Sequence, residues 1–344
     1  MFTPRYTITD RLLGNIRRVY ELVTLLNTKR FPKPVLLELS RRARDISVFA
    51  STSIEGNPLP LTDVKRILKH HPDHIRDSEK EVLNYNKALL NLESFLRNSE
   101  ARLTIDLLLS LQQTVTEGLV STVHSGKFRK EPVFVNDPRT AKTIYLPPDH
   151  SDVPTLIREL FSFVKKMESQ VDPLIVAGIL HKQLVLIHPF IDGNGRTARL
   201  ATKTLLARMG LDTFNLFSFE NYYNNNVSRY FQYVGEYGNY YEIFDALSFT
   251  SWLEYFTEGI IDELLRVSKE LQTEFVTPDT VLEDWHKEIL RYIDKKGFIT
   301  DRDYARLTDR SRPTRHLDFR KLIDLGLIEL RGKGKASFYQ RKNF

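Results

Sequence analysis

One stretch constrains this chain more than any other: a helical run, a glycine-bearing turn and a second helical run, read in direct succession. Residues 173–187 (PLIVAGILHKQLVLI) are almost wholly apolar, and residues 197–209 (TARLATKTLLARM) read as a helix. Between them stand His188-Pro189-Phe190-Ile191-Asp192-Gly193-Asn194-Gly195-Arg196. The turn therefore opens a helix, where first-turn amides and the helix dipole favour an anion. Glycines let backbone N–H groups close on that anion without obstruction. Arg196 and Arg199 share a helix face and can both point at phosphate. His188 takes a proton near neutral pH, and Asp192 is placed to hold a magnesium ion that bridges phosphates. The inventory suits chemistry on a nucleotide phosphate.

The rest of the chain is mainly helical in pattern. Apolar residues recur at helical spacing over about residues 7–30 (Leu12, Leu13, Ile16, Val19, Leu22, Val23, Leu26), and further helices are expected over about 35–51, 61–70, 77–96, 104–118 and 153–168. Phe31-Pro32-Lys33-Pro34 breaks the first pair. Residues 132–136 and 143–148 are β-rich runs around Asp137-Pro138-Arg139-Thr140, which predicts a β-hairpin. His70, His71 and His74 lie close together, but Pro72 intervenes and no carboxylate pattern completes a zinc site, so they read as surface residues. After a polar linker, residues 285–297, 300–308 and 314–326 read as three helices. Leu327–Leu330 and Ser337–Gln340, joined across Gly332-Lys333-Gly334, read as a wing hairpin, giving a winged helix-turn-helix. The expected fold class is mostly α, with one hairpin and a small winged-helix domain. The expected boundaries are 1–100 for an N-terminal helical region, 101–272 for the core, 273–283 for the linker and 284–344 for the winged helix.

Length allows two or three domains. There is no cysteine, which excludes disulfides, thiolate metal sites and a catalytic thiol, and fits a reducing cytoplasm. The N-terminus lacks a compact apolar segment, so no signal peptide is expected. The longest apolar stretch, residues 173–190, is interrupted by His181, Lys182 and Gln183 and is too short and polar to cross a membrane. The net charge of +6 is unevenly placed: from Asp284 onward 16 Lys and Arg face 9 Asp and Glu. That basic excess, with Arg310, Arg312, Arg315, Arg320 and Lys321 in or before the third C-terminal helix, leaves a DNA or protein contact open there.

The string from His188 to Arg199 resembles the Fic family signature HPFx[DE]GNGRxxR and matches it at every fixed position. The resemblance extends over about residues 5–270. It implies transfer of AMP from ATP to a Ser, Thr or Tyr hydroxyl of a target protein, with His188 as general base and Asp192 holding Mg²⁺. The amides of Gly193, Asn194 and Gly195 are expected on the α-phosphate, and Arg196 and Arg199 on the β- and γ-phosphates. Retention of Gly193, Arg196 and Arg199 favours nucleotidyl over phosphoryl transfer. Gly126-Lys127-Phe128-Arg129 looks like the family's G-x-[FY]-R, and the hairpin takes the place of its flap, on which a target strand docks by main-chain hydrogen bonds. Residues 214–234 look like the family's aromatic helix, although Asn226 is followed by Val227 and Tyr230 by Phe231 where the family has Arg and a second Tyr. By the same analogy Thr52, Gln183 and Asn226 are further nucleotide contacts.

Ser51-Thr52-Ser53-Ile54-Glu55-Gly56-Asn57 resembles the family's inhibitory motif [ST]xxxE[GN], upstream of the signature as in class II members. The resemblance implies that Glu55 pairs with Arg199 and displaces the γ-phosphate, spoiling in-line geometry. A helix end capped by Gly56 is compatible with that role. Two other readings remain at this stage: removal of AMP with Glu55 positioning water, and a nucleotide-sensing winged-helix transcription regulator. A homodimer is left open, and a cytoplasmic location is expected.

Overall fold

The computed structural model describes residues 2–28, 33–70, 75–98, 101–136, 142–207, 218–274, 282–325, 327–332, 334 and 337–341. Five helices come first: α1 (Asp10–Asn27), α2 (Lys33–Ile54), α3 (Leu61–Lys69), α4 (Asp77–Leu96) and α5 (Ile105–Val115). Strands β1 (Val135–Asn136) and β2 (Thr143–Leu146) precede α6 (Val153–Met167), α7 (Pro173–Ile187), α8 (Asn194–Ala207), α9 (Phe219–Asn225) and α10 (Val227–Val234). Then follow β3 (Gly238–Asn239), α11 (Tyr240–Ile243) and α12 (Thr250–Glu274). The C-terminal elements are α13 (Asp284–Lys296), β4 (Phe298–Ile299), α14 (Asp301–Tyr304), α15 (Arg312–Asp324), β5 (Ile328–Arg331) and β6 (Phe338–Arg341). The expected turn at Asp137–Thr140, the histidines His71 and His74, and the residues between α8 and α9 up to Phe217 lie outside the described residues. His70 ends α3 and is exposed, and among the described residues no group of three His, Asp or Glu is arranged to hold a metal.

The chain forms two compact units. One comprises Met1–Asn27 with Arg42–Leu265, the other Thr28–Arg41 with Arg266–Phe344. In the first unit α7 is the central rod: every residue from Leu174 to Leu184 is buried, as expected of a helix apolar on all sides. Asp172 caps it by accepting the Leu174 amide, and Pro173 sits where a missing N–H costs nothing. Gly178 lets α12 approach closely: a Cβ there would stand 2.6 Å from Leu253 Cδ2, and the Trp252 indole N–H donates to the Gly178 carbonyl at 2.7 Å. α3, α4 and α5 cover α8 through Val64, Val82, Tyr85, Leu111, Val115 and Leu200. β1 and β2 run antiparallel, and β3 joins β2 in parallel through Tyr145–Gly238 and Leu146–Asn239.

In the second unit β4, β6 and β5 form an antiparallel sheet in that order over a core of Ile289, Ile293, Tyr304, Phe319, Leu322 and Tyr339. Two of the basic residues there are held by two-pronged internal pairs. Arg310 forms a two-pronged pair with Asp318 at 2.8 and 3.1 Å, and Arg315 does the same with Asp301 at 2.9 and 3.1 Å. Among the described residues no helix is long and apolar enough to cross a membrane.

Candidate active site

The site is built where α7 ends and α8 begins. α7 stops at His188, which adopts a left-handed backbone (φ 50°, ψ 60°), the one positive-φ non-glycine among the described residues. Its amide still bonds the Leu184 carbonyl at 3.1 Å, and Pro189 next in sequence cannot continue the helix. The imidazole Nδ1 lies 3.3 Å from the Val185 carbonyl, an oxygen that only accepts. That contact assigns the proton to Nδ1 and leaves the Nε2 lone pair as acceptor. Burial lowers the His188 pKa below the usual range. The Val185 carbonyl, Glu55 and Asp192 pull the other way, and Arg129 adds to the lowering. The ring is thus held neutral near pH 7, as a base requires.

The turn that follows is fixed by its own side chains. Asn194 clasps Phe190 twice, its Oδ1 accepting the Phe190 amide and its Nδ2 donating to the Phe190 carbonyl, each at 2.9 Å. Gly193 (φ 79°) makes the reversal, and a Cβ there would press on Thr116 Cγ2 at 2.8 Å. α8 starts three residues earlier than the sequence pattern suggests, because Thr197 N–H already reaches the Gly193 carbonyl at 2.9 Å. The orphan amides of that first turn fall on Asn194, Gly195 and Arg196. The Gly193 amide is directed to Asp192 Oδ1 at 2.6 Å. Asp192 also receives Arg196 on both oxygens, at 3.2 and 3.1 Å, and its side chain remains 45% exposed.

Both arginines point inward from α8 and are buried. Arg196 Nη1 lies 3.3 Å from Glu81, which is itself held by Asn57 Nδ2 at 2.7 Å. Arg199 donates to Ser51 Oγ at 2.7 Å, to the Ser51 carbonyl at 2.8 Å and to Glu55 Oε1 at 2.7 Å. Burial opposes the Arg199 charge, and Glu55 with Tyr230 and Tyr85 outweighs it, so its pKa is raised. Arg196 Nε and Arg199 Nη1 are buried without a hydrogen-bond partner, and Arg196 Nη1 has the Glu81 ion pair but no hydrogen bond. Orphan guanidinium donors beside a helix N-terminus are what a phosphate would satisfy.

Glu55 reaches this place from the end of α2. The helix unwinds through Glu55, Gly56 (φ 94°) and Asn57, whose amides return to Thr52, Ser53 and Thr52. The carboxylate lies directly over the α8 N-terminus: a Cβ at Gly195 would collide with Glu55 Oε1. Gly195 is therefore open to an anion and filled by one of the chain's own.

The structure brings His188, Asp192, Gly193, Asn194, Gly195, Arg196, Arg199 and Glu55 into one continuous set. The three remaining sequence candidates are engaged elsewhere. Thr52 is buried and its hydroxyl donates to the Val48 and Phe49 carbonyls. Gln183 is buried, donates to the Tyr240 hydroxyl at 3.1 Å and keeps an unpartnered Oε1. Asn226 is exposed at the break between α9 and α10, where its Oδ1 accepts the Arg229 amide at 3.0 Å; the aromatic segment is two helices and not one. Two residues outside the candidate set brace the turn. Gln112, buried in α5, donates to the Asp192 carbonyl at 3.1 Å and accepts the Gly126 amide at 2.5 Å. Arg129 binds carbonyls around His188.

Residues 102–206, which include this whole turn, match the model of the Fic/DOC family. Those residues are similar to a Fic domain. Relatives of the domain include the protein adenylyltransferases Fic of Aedes aegypti, 28% identical over 217 residues, and of Drosophila willistoni, 32% identical over 167. Those matches take in 58% and 47% of this chain but 42% and 32% of the relatives, so the chain spans less than half of their length. A Fic family protein of Desulfovibrio desulfuricans has the same fold over 100% of this chain and 99% of its own, with a TM-score of 0.68 at 20% identity. Fic-1 of C. elegans (residues 134–508) aligns over 76% of this chain and 73% of its own, with a TM-score of 0.60 at 22% identity.

Proposed function

We propose that the chain is a protein adenylyltransferase, restrained by its own Glu55. The observation that carries this reading is one arrangement: a buried imidazole just ahead of a helix N-terminus, two buried arginines with unpartnered donors, and a carboxylate of the chain standing where a phosphate would bind. The Fic domain and the adenylyltransferase names of its relatives support it.

In the reaction, a target Ser, Thr or Tyr hydroxyl oxygen forms a bond to the α-phosphorus of ATP. The bond from that phosphorus to the α–β bridging oxygen breaks, and pyrophosphate leaves. His188 Nε2 takes the hydroxyl proton. First-turn amides of α8 stabilise charge on the α-phosphate, and Arg196 and Arg199 hold the β- and γ-phosphates. Magnesium fits a site with one half-exposed carboxylate and phosphate oxygens better than an all-protein cage. Asp192 would hold it, and when bound it would neutralise phosphate charge. Exchange of Asp192 from Arg196 to the cation would free that guanidinium for ATP. Thr52, Gln183 and Asn226 remain proposed nucleotide contacts by family analogy. The β1–β2 pair is proposed as the docking edge for a target strand. Residues 284–344 are proposed as a winged helix on the order α13–β4–α14–α15–β5–β6. The engagement of Arg310 and Arg315 with Asp318 and Asp301 weighs against these two arginines holding DNA phosphates, and a salt-dependent retardation of duplex DNA would reverse that reading.

The test is intact-mass spectrometry of the Glu55→Gly chain after incubation with ATP and Mg²⁺. One AMP adduct per modified site is expected, and it should disappear in Glu55→Gly/His188→Ala, where general-base loss costs about 10²–10⁴ in rate. A Glu55→Gly chain that transfers no faster than the parent would shift the assignment to AMP removal.

A further inference from the structure

We infer that Arg129 is the positioning residue of the catalytic base, fixing the left-handed backbone of His188 and tying it to both feet of the β1–β2 pair. This rests on the adenylyltransferase reading above.

The last carbonyls of a helix have no partner within it, and here they are accounted for one by one. The Leu186 carbonyl accepts the Tyr145 hydroxyl of β2 at 2.9 Å. The Ile187 carbonyl accepts Arg129 Nη2 at 3.4 Å, and the His188 carbonyl accepts Arg129 Nε at 2.8 Å. The Pro189 carbonyl accepts the Arg129 backbone amide at 2.9 Å. One residue thus binds the carbonyls before, at and after the strained position. A left-handed non-glycine residue is strained and persists only where its surroundings hold it.

The same guanidinium reaches the hairpin. Arg129 Nη1 donates to the Glu131 carbonyl at 3.1 Å, ahead of β1, and Nη2 to the Pro148 carbonyl at 2.5 Å, just past β2. The base and the proposed target-docking edge therefore share one rigid fork, which only an arginine supplies. Arg129 is 2% exposed, and among the described residues its side-chain hydrogen-bond partners are all carbonyls. Burial lowers its pKa, with Asp149 the first group acting against that. A cation held in this way, without a bonded carboxylate, is costly for stability alone. The groups that act on His188 are Glu55 from the end of α2, Asp192 from the turn and Arg129, and of these Arg129 disfavours the imidazolium.

The test uses the full chain carrying Glu55→Gly, with Arg129→Met and Arg129→Lys added separately. Self-modification with ATP and Mg²⁺ should fall about a hundredfold in kcat for Arg129→Met, the usual cost of about 1 Å of misplacement, with KM for ATP within about twofold. Arg129→Lys should recover only part of that rate, because one nitrogen cannot span four carbonyls. The acid limb of the kcat/KM profile should move to higher pH in Arg129→Met and stay in Arg129→Lys, which keeps the charge. A folded Arg129→Met with undiminished kcat, or a loss confined to KM, overturns the inference; failure of both variants to fold assigns Arg129 to scaffold alone and overturns it too. If Glu55→Gly by itself forms no adduct, the adenylyltransferase reading fails. The His188 ring signals in ¹⁵N-histidine spectra then judge Arg129 independently: a single Nδ1–H tautomer in the parent that is lost in Arg129→Met supports the role, and an unchanged ring refutes it.

Discussion

Glu55 and Arg199 meet through one oxygen at 2.7 Å, with the arginine fully buried and the Glu55 side chain 30% exposed. Removing the acid strands a buried cation, a change that costs stability. Glu55→Gly should therefore melt below the parent in buffer and gain more on adding ATP, because phosphate now fills the vacated position. At a hundredfold excess over Kd, linkage supplies about 2.7 kcal/mol. Thermal unfolding with and without ATP checks this, and an equal ATP response in both proteins would contradict the displacement of phosphate by Glu55. Glu55→Gln should lie between, keeping bulk and an acceptor while losing charge. A second residue-scale consequence concerns His181, buried between Tyr230 and Thr202 at 2.9 and 3.1 Å. Burial, then Arg199, drives its pKa well below the usual value. Below about pH 6.5 the unfolded chain takes up a proton that folded His181 refuses, so stability falls as pH drops, by about 1.4 kcal/mol per pH unit for this group. Urea midpoints between pH 7.5 and 5.5 should decline, and a flat profile would show that the ring is accessible.

At the scale of elements, the part legible in the sequence is the part with fixed spacing. α7, the turn and α8 follow each other directly, so the residues that meet in space are neighbours in the chain. Glu55 is 144 positions from Arg199, and only its family pattern exposed it. Gln112 and Tyr145 were missed as braces because they act on backbone carbonyls, which carry no sequence signal of their own, and Arg129 stood out only as part of the G-x-[FY]-R pattern, with no sign of the carbonyls it binds. α12 lies beyond every expected helix. Its buried face includes Thr257 and Glu263, the latter bonded to Asn221 at 2.7 Å, and polar residues at buried positions blur the apolar period. α9 and α10 were read as one helix because the aromatic pattern runs through the break. Asn226 marks that break by capping α10, so Asn226→Ala should cost about 1 kcal/mol, while Asn226→Asp retains the cap. If Asn226 also touches the base of the nucleotide, both changes should weaken ATP binding by calorimetry. An unchanged Kd in Asn226→Asp with an unchanged fold would leave it a cap only.

At the scale of the molecule, the chain divides into two compact units, and the site lies in the first. Residues 28–41 group with the C-terminal unit, a relation that no composition shift reveals. Two cores predict two unfolding transitions, of which ATP should raise only one. A chain ending at Leu282 should retain the ATP-sensitive transition and lose the other. A single transition in the full chain, or loss of the ATP response on truncation, would show that the units fold as one. The left-handed backbone at His188 bears on how such a protein is improved in the laboratory. Asparagine tolerates that conformation better than histidine does and carries no proton to be gained in acid. Screening a library for yield or heat resistance would thus retain His188→Asn and count it a success. At this position the most robust offspring would be the inert ones, so any directed-evolution scheme has to select on turnover from its first round.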